Sequence, residues 1–524
     1  MGEERRVAQS AGARLARQDL NMFAEYCFGF RNTWFHREWY DTIQDYSIKR
    51  GLIIAPRNSA KSTCWAKVGA LWLLGRNPDL RIVLISRTST LAETNMRFLR
   101  LNIESNDRVR EVFPAAEING RVFGLKQSSP WGEKGLTVRN NRNDGTMSVY
   151  AVGLEGSISG TRADVIVVDD LVDMNNVMTD NQRDKVNAFW DSVVMPTLNP
   201  DGRILCVGTR YHSKDFYARL LEDETYKTHT WMFPAIKQHK EGPQKGEYLL
   251  DADGKPQSYW PERWSIEALL KMKEDMGSLA FNAQYMCDTS GYAGTVFKLD
   301  DLHLYDPASL LPIWGDLDFV VGVDPNITDN PDSDNTAIVT AAVDRKRSNI
   351  YVLDVYAHPH GFTDQVKLIQ KYGGRSRVRV GTVSLDNDIR VGKIGVDSTA
   401  YQRSLQQTGY LMGLPVVEVK TGNQKKEVRI LGLQPHFENG RIRLPDPEKC
   451  HPEWMDKFVE EYASFPKGRR DDMLDALEIL VSMSTDSFGV SGVPWGPGDK
   501  GYVRRLLVSP PRGRRLSGFG GIIR

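Results

Sequence analysis

"GLIIAPRNSAKSTCWAKVGALWLL", residues Gly51 to Leu74, is the stretch whose reading decides the fold. An apolar run leads into a polar turn, then Lys-Ser-Thr, then a long segment with helical patterning. That is the layout of a phosphate-binding P-loop, G-x-x-x-x-G-K-[ST]. Ala55 and Ala60 stand at the two glycine positions, while Lys61 and Ser62 are in place. A P-loop aims backbone N–H groups and a helix N-terminus at phosphates, with a lysine near the β- and γ-phosphates. Alanine is the smallest replacement for glycine and forbids little where the loop keeps negative φ. The candidate nucleotide loop is therefore Ala55, Pro56, Arg57, Asn58, Ser59, Ala60, Lys61, Ser62 and Thr63. Lys61 is placed for the phosphates, Ser62 for Mg²⁺, and Arg57 for a γ-phosphate in cis. Taken alone, the loop fits a plain strand–turn–helix with a solvated lysine equally well.

Working outward, "RIVLIS" (81–86), "DVIVVDD" (164–170) and "GRILCVGT" (202–209) read as further buried strands, with helices over 61–75 and 88–104. Apolar strands alternating with helices indicate a parallel sheet covered on both faces. Ligands bind such sheets at the carboxyl ends of the strands. Asp169 and Asp170 lie at that edge, the first suited to a Mg²⁺ shell and the second to polarising an attacking water. Thr209 ends the next strand, where a hydroxyl can sense the γ-phosphate. The order of these four strands favours an ATPase over the plain reading. Upstream, "RNTWFHREWYDTIQDY" (31–46) fits either an adenine-framing segment or an amphipathic helix burying Trp34, Trp39 and Tyr40.

After a turn-rich stretch the pattern changes. "FVVGVDP" (319–325), "NTAIVTAAVD" (335–344) and "NIYVLDVY" (349–356) read as an antiparallel meander. "KIGVDS", a helix, "PVVEV", a helix, "RIRLP" and two closing helices follow, near 452–464 and 471–484. This order suggests an RNase H-like α/β domain. Asp324 and Asp397 end strands within it. Asp471, Asp472 and Asp475 open the last helix, where spacings of three and four residues share a face. Two-metal phosphodiester cleavage needs carboxylates converging from separate elements on metals about 3.5–4 Å apart. Asp334 and Asp354 are weaker candidates; Asp354 is expected on a strand exterior.

The expected organisation is an N-terminal helical region (1–50), a P-loop ATPase domain (51–288), a linker (289–316), an RNase H-like nuclease domain (317–488) and a flexible basic tail (489–524). The 524 residues exceed one ordinary core, and a net charge of +1 requires any basic surface to be local. The five cysteines are scattered, with no CxxC pair, so neither a zinc site nor a disulfide framework is expected, which fits a reducing cytoplasm. The first twenty residues lack the apolar core of a secretory signal, and no apolar run is long enough to cross a membrane.

The segments "APRNSAKST", "GSISGTRADVIVVDDLVD", "CVGTRYH", "FNAQYMCD", "GVDPN", "GVDSTA" and "RRDDMLDAL", in this order, resemble the large terminase subunit of tailed double-stranded DNA phages, over about residues 20–485. The resemblance implies a Walker A loop containing Arg57, Lys61, Ser62 and Thr63, with Asp169 as Walker B metal ligand. Many members carry Asp-Glu where this chain has Asp169-Asp170, so Asp170 brings a shorter side chain to the catalytic position. Thr209 matches the coupling motif. Asp324, Asp397 and Asp472 correspond to nuclease metal ligands, with Asp471 and Asp475 as alternatives. The family further implies ATP, Mg²⁺ or Mn²⁺, double-stranded DNA, a small terminase subunit, a portal on the procapsid and a pentameric packaging ring. It also implies a place in the host cytoplasm, transiently at the portal vertex, outside the mature virion. Two rival readings remain at this stage. One is a helicase–nuclease of repair or restriction type; the other is a non-hydrolysing virion or binding component with a decayed P-loop.

Overall fold

The computed structural model describes residues 10–485 apart from 143, 157, 159, 294, 326–334, 375, 382, 398–411 and 420–423. The basic tail, Asp334 and the helix expected after "GVDSTA" lie outside the described residues.

The N-terminal sheet has eight strands. Six are parallel, in the order Thr230–Met232, Arg50–Ile54, Leu198–Gly208, Ala163–Asp169, Ile82–Ser86 and Val149–Gly153. Val165 to Val168 are all buried, as a strand covered on both faces requires. Register brings Ile54 beside Gly208 and Asp169 beside both Ser86 and Val207, so the P-loop, the acidic strand and Thr209 share one edge. Antiparallel strands Gly135–Val138 and Gln127–Trp131 extend the far side. Both are short, and Gln127–Trp131 is polar and carries no buried residue, which hid them in the sequence.

The helix behind the P-loop starts as a π-type turn, Thr63–Gly69, and continues as an α-helix to Arg76. It packs on the helix Trp34–Gln44, whose Trp39 carbonyl accepts the Trp65 indole N–H at 3.0 Å. Phe35, Trp39 and Tyr40 are buried there, and Gln44 accepts the Leu20 N–H. The segment 31–46 is thus the amphipathic packing helix, with Trp34 left exposed.

The C-terminal sheet has seven strands in the order His303–Tyr305, Ile442–Pro445, Asn349–His358, Thr336–Asp344, Asp318–Asp324, Val391–Asp397 and Val416–Val419. The first three in sequence of the expected domain form the antiparallel meander. Val391–Asp397 and Val416–Val419 then add in parallel beside Asp318–Asp324. This is an RNase H-like order, and it does not have the all-parallel character of a second helicase lobe. The last helix, Asp472–Thr485, lies directly on the strand Asp318–Asp324, because Gly322 leaves room. A Cβ at 322 would stand 2.1 Å from the Ala476 carbonyl oxygen.

The turn-rich connection is not loose. His303–Tyr305 within it pairs with Ile442–Pro445 as an edge strand of the C-terminal sheet. Phe297 stacks on Tyr462 at 4.9 Å and meets Phe465 at 5.5 Å. Tyr292 packs toward the other domain, its hydroxyl on the Met174 sulfur at 3.9 Å. One apolar core runs from the N-terminal sheet through these residues into the C-terminal domain. Among the described residues, no helix is long and apolar enough to cross a membrane.

Candidate functional site

At the N-terminal sheet edge the expected residues come together. Lys61 is 3% exposed; its ammonium donates to Thr209 Oγ1 at 2.9 Å and lies 3.5 Å from Asp170 Oδ2. The Ser62 hydroxyl donates to Asp169 Oδ1 at 2.5 Å, and Asn95 Nδ2 donates to Asp169 Oδ2 at 2.8 Å. Burial, reinforced by the Asp170 charge, raises the Asp169 carboxyl above the usual carboxylate range. Thr209 Oγ1 also donates to the Ala55 carbonyl at 3.3 Å, tying the sensing strand to the loop. Arg57 lies over the Tyr211 ring at 5.8 Å. Pro56 and Ser59 are buried, Asn58 is exposed, and Thr63 opens the helix.

Two local expectations need correction. The loop does not keep negative φ: Ala60 sits at φ 66 and Asn58 at φ 60, both left-handed. Asparagine tolerates that region; alanine is strained there by about 1–2 kcal/mol. The loop keeps glycine's conformation at position 60 without the glycine. Asp170 is not the last strand residue either. The strand stops at Asp169, and Asp170 turns out at φ 47, its N–H donating to the Val207 carbonyl at 3.0 Å. Its Oδ1 is shielded from solvent with no hydrogen-bond partner. An ammonium, a guanidinium, a hydroxyl–carboxylate pair and this orphaned oxygen at a helix N-terminus form a donor set that fits a nucleoside triphosphate with Mg²⁺.

Sequence reasoning missed several supports here. His36 is buried, accepts the Thr33 N–H on Nδ1 and contacts the Ser59 carbonyl through Nε2 at 3.1 Å; burial lowers its pKa to about 4. Arg210, next to Thr209, is buried and bonded to Asp215 at 2.9 Å and to the Thr289 hydroxyl at 3.2 Å. Asp215 also accepts the Tyr211 and Ala218 N–H groups. Arg87 forms an ion pair with Asp173 near the Tyr211 ring.

The second site lies at the C-terminal sheet edge. Val323 pairs with Val396, so Asp324 and Asp397 are neighbours at the ends of parallel strands. The helix that rests on Gly322 brings Asp472 and Asp475 over them, with Asp471 just before its first turn. Asp472 is 1% exposed and accepts the Asn335 N–H at 2.8 Å. Burial pushes the Asp475 carboxyl up to about 8, with the Asp324 charge adding to it, and burial raises Asp324 as well. Asp354 is not part of this group. It faces Thr340 in mid-strand, and burial raises its carboxyl beside Tyr372 and Trp454.

Three further residues of this site were not singled out from the sequence. Glu461 accepts the Leu474 N–H at 2.8 Å, capping the helix that carries the acids; burial pushes it up to about 8. Lys426 and Arg429 project from the helix Lys426–Leu431 into the carboxylates. Burial opposes the Lys426 charge, but Asp324, Asp475 and Asp471 outweigh it and raise its pKa. Arg429 also binds Glu478 at 2.9 Å. The i,i+3 spacing of Lys426 and Arg429, and the continuation of the acidic stripe to Glu478, were visible signals. Among the described residues, no group of three or more His, Cys, Asp or Glu is arranged to hold a metal ion as it stands. The donor chemistry nevertheless fits a hard divalent cation, since at least four carboxylates already face one positive charge.

Together the two edges define a class: a P-loop α/β domain joined to an RNase H-like domain with an acidic centre. Residues 321–484 match the family model of the terminase RNase H-like domain. The chain is similar to the large terminase subunit of Enterobacteria phage T3, 25% identical over 255 residues, or 45% of this chain and 40% of that protein. The match thus spans well under two thirds of the relative. Among solved structures, the large terminase of a thermophilic bacteriophage matches with a TM-score of 0.46 at 13% identity, covering 86% of this chain and 97% of that one. The large terminase of bacteriophage HK97 matches with a TM-score of 0.33 at 14% identity, covering 90% and 100%.

Proposed function

We propose that this protein is a phage large terminase subunit, an ATP-driven motor that moves double-stranded DNA into a procapsid and a metal-dependent endonuclease that cuts concatemeric DNA. The observation that carries this reading is the gathering of Asp324, Asp397, Asp472 and Asp475 at one sheet edge, in a chain whose other sheet gathers Lys61, Ser62, Asp169 and Thr209.

ATP supplies the phosphoryl group, and its Mg²⁺ neutralises developing charge. Lys61 and Arg57 bind the phosphates, Ser62 and Asp169 hold the metal, and Asp170 orients the attacking water. Phosphate draws Lys61 from Thr209; Arg210 then carries the altered strand end to Thr289 at the head of the linker. In the second domain a divalent cation, Mg²⁺ or Mn²⁺, would supply the charge stabilisation that phosphodiester cleavage needs. Asp324, Asp397 and Asp472 hold it, with Asp471 and Asp475 beside them. DNA is gripped chiefly through phosphates, as translocation across any sequence requires. A small terminase subunit selects viral DNA, and a pentameric ring docks on the portal. The protein acts in the host cytoplasm and leaves before the virion matures.

The test is plasmid cleavage with Mg²⁺ or Mn²⁺ alongside ATP turnover. Wild type cuts with little sequence preference; Asp324→Ala abolishes cutting; Lys61→Ala keeps cutting and loses turnover. Undiminished cutting by Asp324→Ala contradicts the nuclease assignment.

A further inference from the structure

The acidic centre of the C-terminal domain already contains a cation belonging to the chain. The Lys426 ammonium lies 2.9 Å from Asp471 Oδ1, 3.1 Å from Asp324 Oδ2, 3.5 Å from Asp475 Oδ2 and 3.8 Å from Asp472 Oδ1. One positive charge ringed by carboxylates from a strand end and a helix start is the environment of a bound metal rather than of an ordinary ion pair. Arg429, three residues on, takes the other flank: it is 3.1 Å from Asp475 Oδ1 and 3.7 Å from Asp397 Oδ2. Asp475 Oδ1 is buried and still lacks a well-directed hydrogen bond. The two cations differ in freedom. The Arg429 side chain is 8% exposed and is also pinned to Glu478, whereas Lys426 is 33% exposed and its nearest partner, Asp471, is 32% exposed. Lys426 therefore has a way out toward solvent along Asp471, and Arg429 does not.

We propose that Lys426 is a tethered stand-in for a nuclease metal. It holds mutually repelling carboxylates together in the metal-free protein and is displaced when a divalent cation loads. Metal loading is then a competition between the free ion and a built-in ammonium, which keeps the nuclease idle at low metal. This inference rests on reading the cluster as a metal site. Electrostatics requires the competition, because an ammonium and a metal ion within about 4 Å of the same oxygens repel strongly.

Two measurements on the full chain test it. In the first, Mn²⁺ binding is followed by the electron paramagnetic resonance of free Mn²⁺ for wild type, Lys426→Met and Asp324→Asn. Binding lost in Asp324→Asn is assigned to this cluster. Lys426→Met is expected to bind Mn²⁺ there about tenfold more tightly or better, as removal of a unit charge at this range implies, and to melt lower than wild type in chelator. Equal or weaker binding by Lys426→Met overturns the inference while leaving the metal site intact. Absence of cluster binding in both wild type and Lys426→Met overturns the metal-site reading, and the inference with it. The second needs no variant. Acetylation of Lys426 in wild type, read by mass spectrometry, is expected to rise several-fold when Mn²⁺ is added; unchanged or reduced labelling means that the ammonium stays in place, and overturns the proposal.

Discussion

Ala60 shows how a single residue can hold a conformation that favours glycine. Its backbone sits at φ 66, where an L-residue is strained and glycine is not. Ala60→Gly is therefore expected to stabilise the protein by up to about 1 kcal/mol, the relief of strain exceeding glycine's greater freedom in the unfolded chain. Urea unfolding checks this; a loss above about 1 kcal/mol contradicts the left-handed loop. His36 acts beneath the same loop. Burial holds its pKa at about 4, below the ordinary 6.5, so the folded state favours the neutral ring. Its contribution is fully present above pH 6.5 and is lost as pH falls toward 4, amounting to roughly 3 kcal/mol at about 1.4 kcal/mol per pH unit. The stability difference between wild type and His36→Gln should shrink across that window; a pH-independent difference contradicts the assignment. The residue types at both sites were legible in the sequence because chemistry constrains them. Backbone sign at Ala60 and the partners of His36 were not, since both depend on how distant segments pack.

At the scale of elements, the strands that form both sheet centres were legible, because strands buried on both faces are nearly continuous apolar runs, whether parallel in the first sheet or antiparallel in the second. What escaped was polar or short: Gln127–Trp131, the hairpin of Ser376–Val380 with Val383–Ile389, and His303–Tyr305 inside the connection. The turn after Gly208 escaped too, although it is held by an ion pair of high cost to break. Asp215 is fully buried, clamps Arg210 and caps the helix Phe216–Glu222. Asp215→Ala leaves a buried guanidinium short of its counter-charge and removes the cap. It should cost about 3–5 kcal/mol, by comparison with other broken buried pairs. Thermal melting reads this directly; a cost under about 1 kcal/mol means that Arg210 repacks freely and is not the rigid step between Thr209 and Thr289.

At the scale of the molecule, the two sites lie on separate sheets joined by a packed connection. Beyond the shared apolar core, the Ser278 N–H donates to Glu438 at 2.8 Å, and Asn439 donates to the Glu274 carbonyl at 2.8 Å. Gly277, at φ 80, brings the two domains so close that a Cβ would stand 2.0 Å from Gln434 Oε1. Such contacts tie the two domains directly to each other alongside the connection, which no local motif discloses. The central claim is that nucleotide turnover at Lys61 drives DNA movement independently of the carboxylate centre. Its most direct test is ATP-dependent protection of linear double-stranded DNA from added nuclease, with the full chain and cognate portal-bearing procapsids. Wild type and Asp324→Ala should both protect the DNA, and Lys61→Ala should not. Protection that survives Lys61→Ala, or that needs no ATP, would contradict the account.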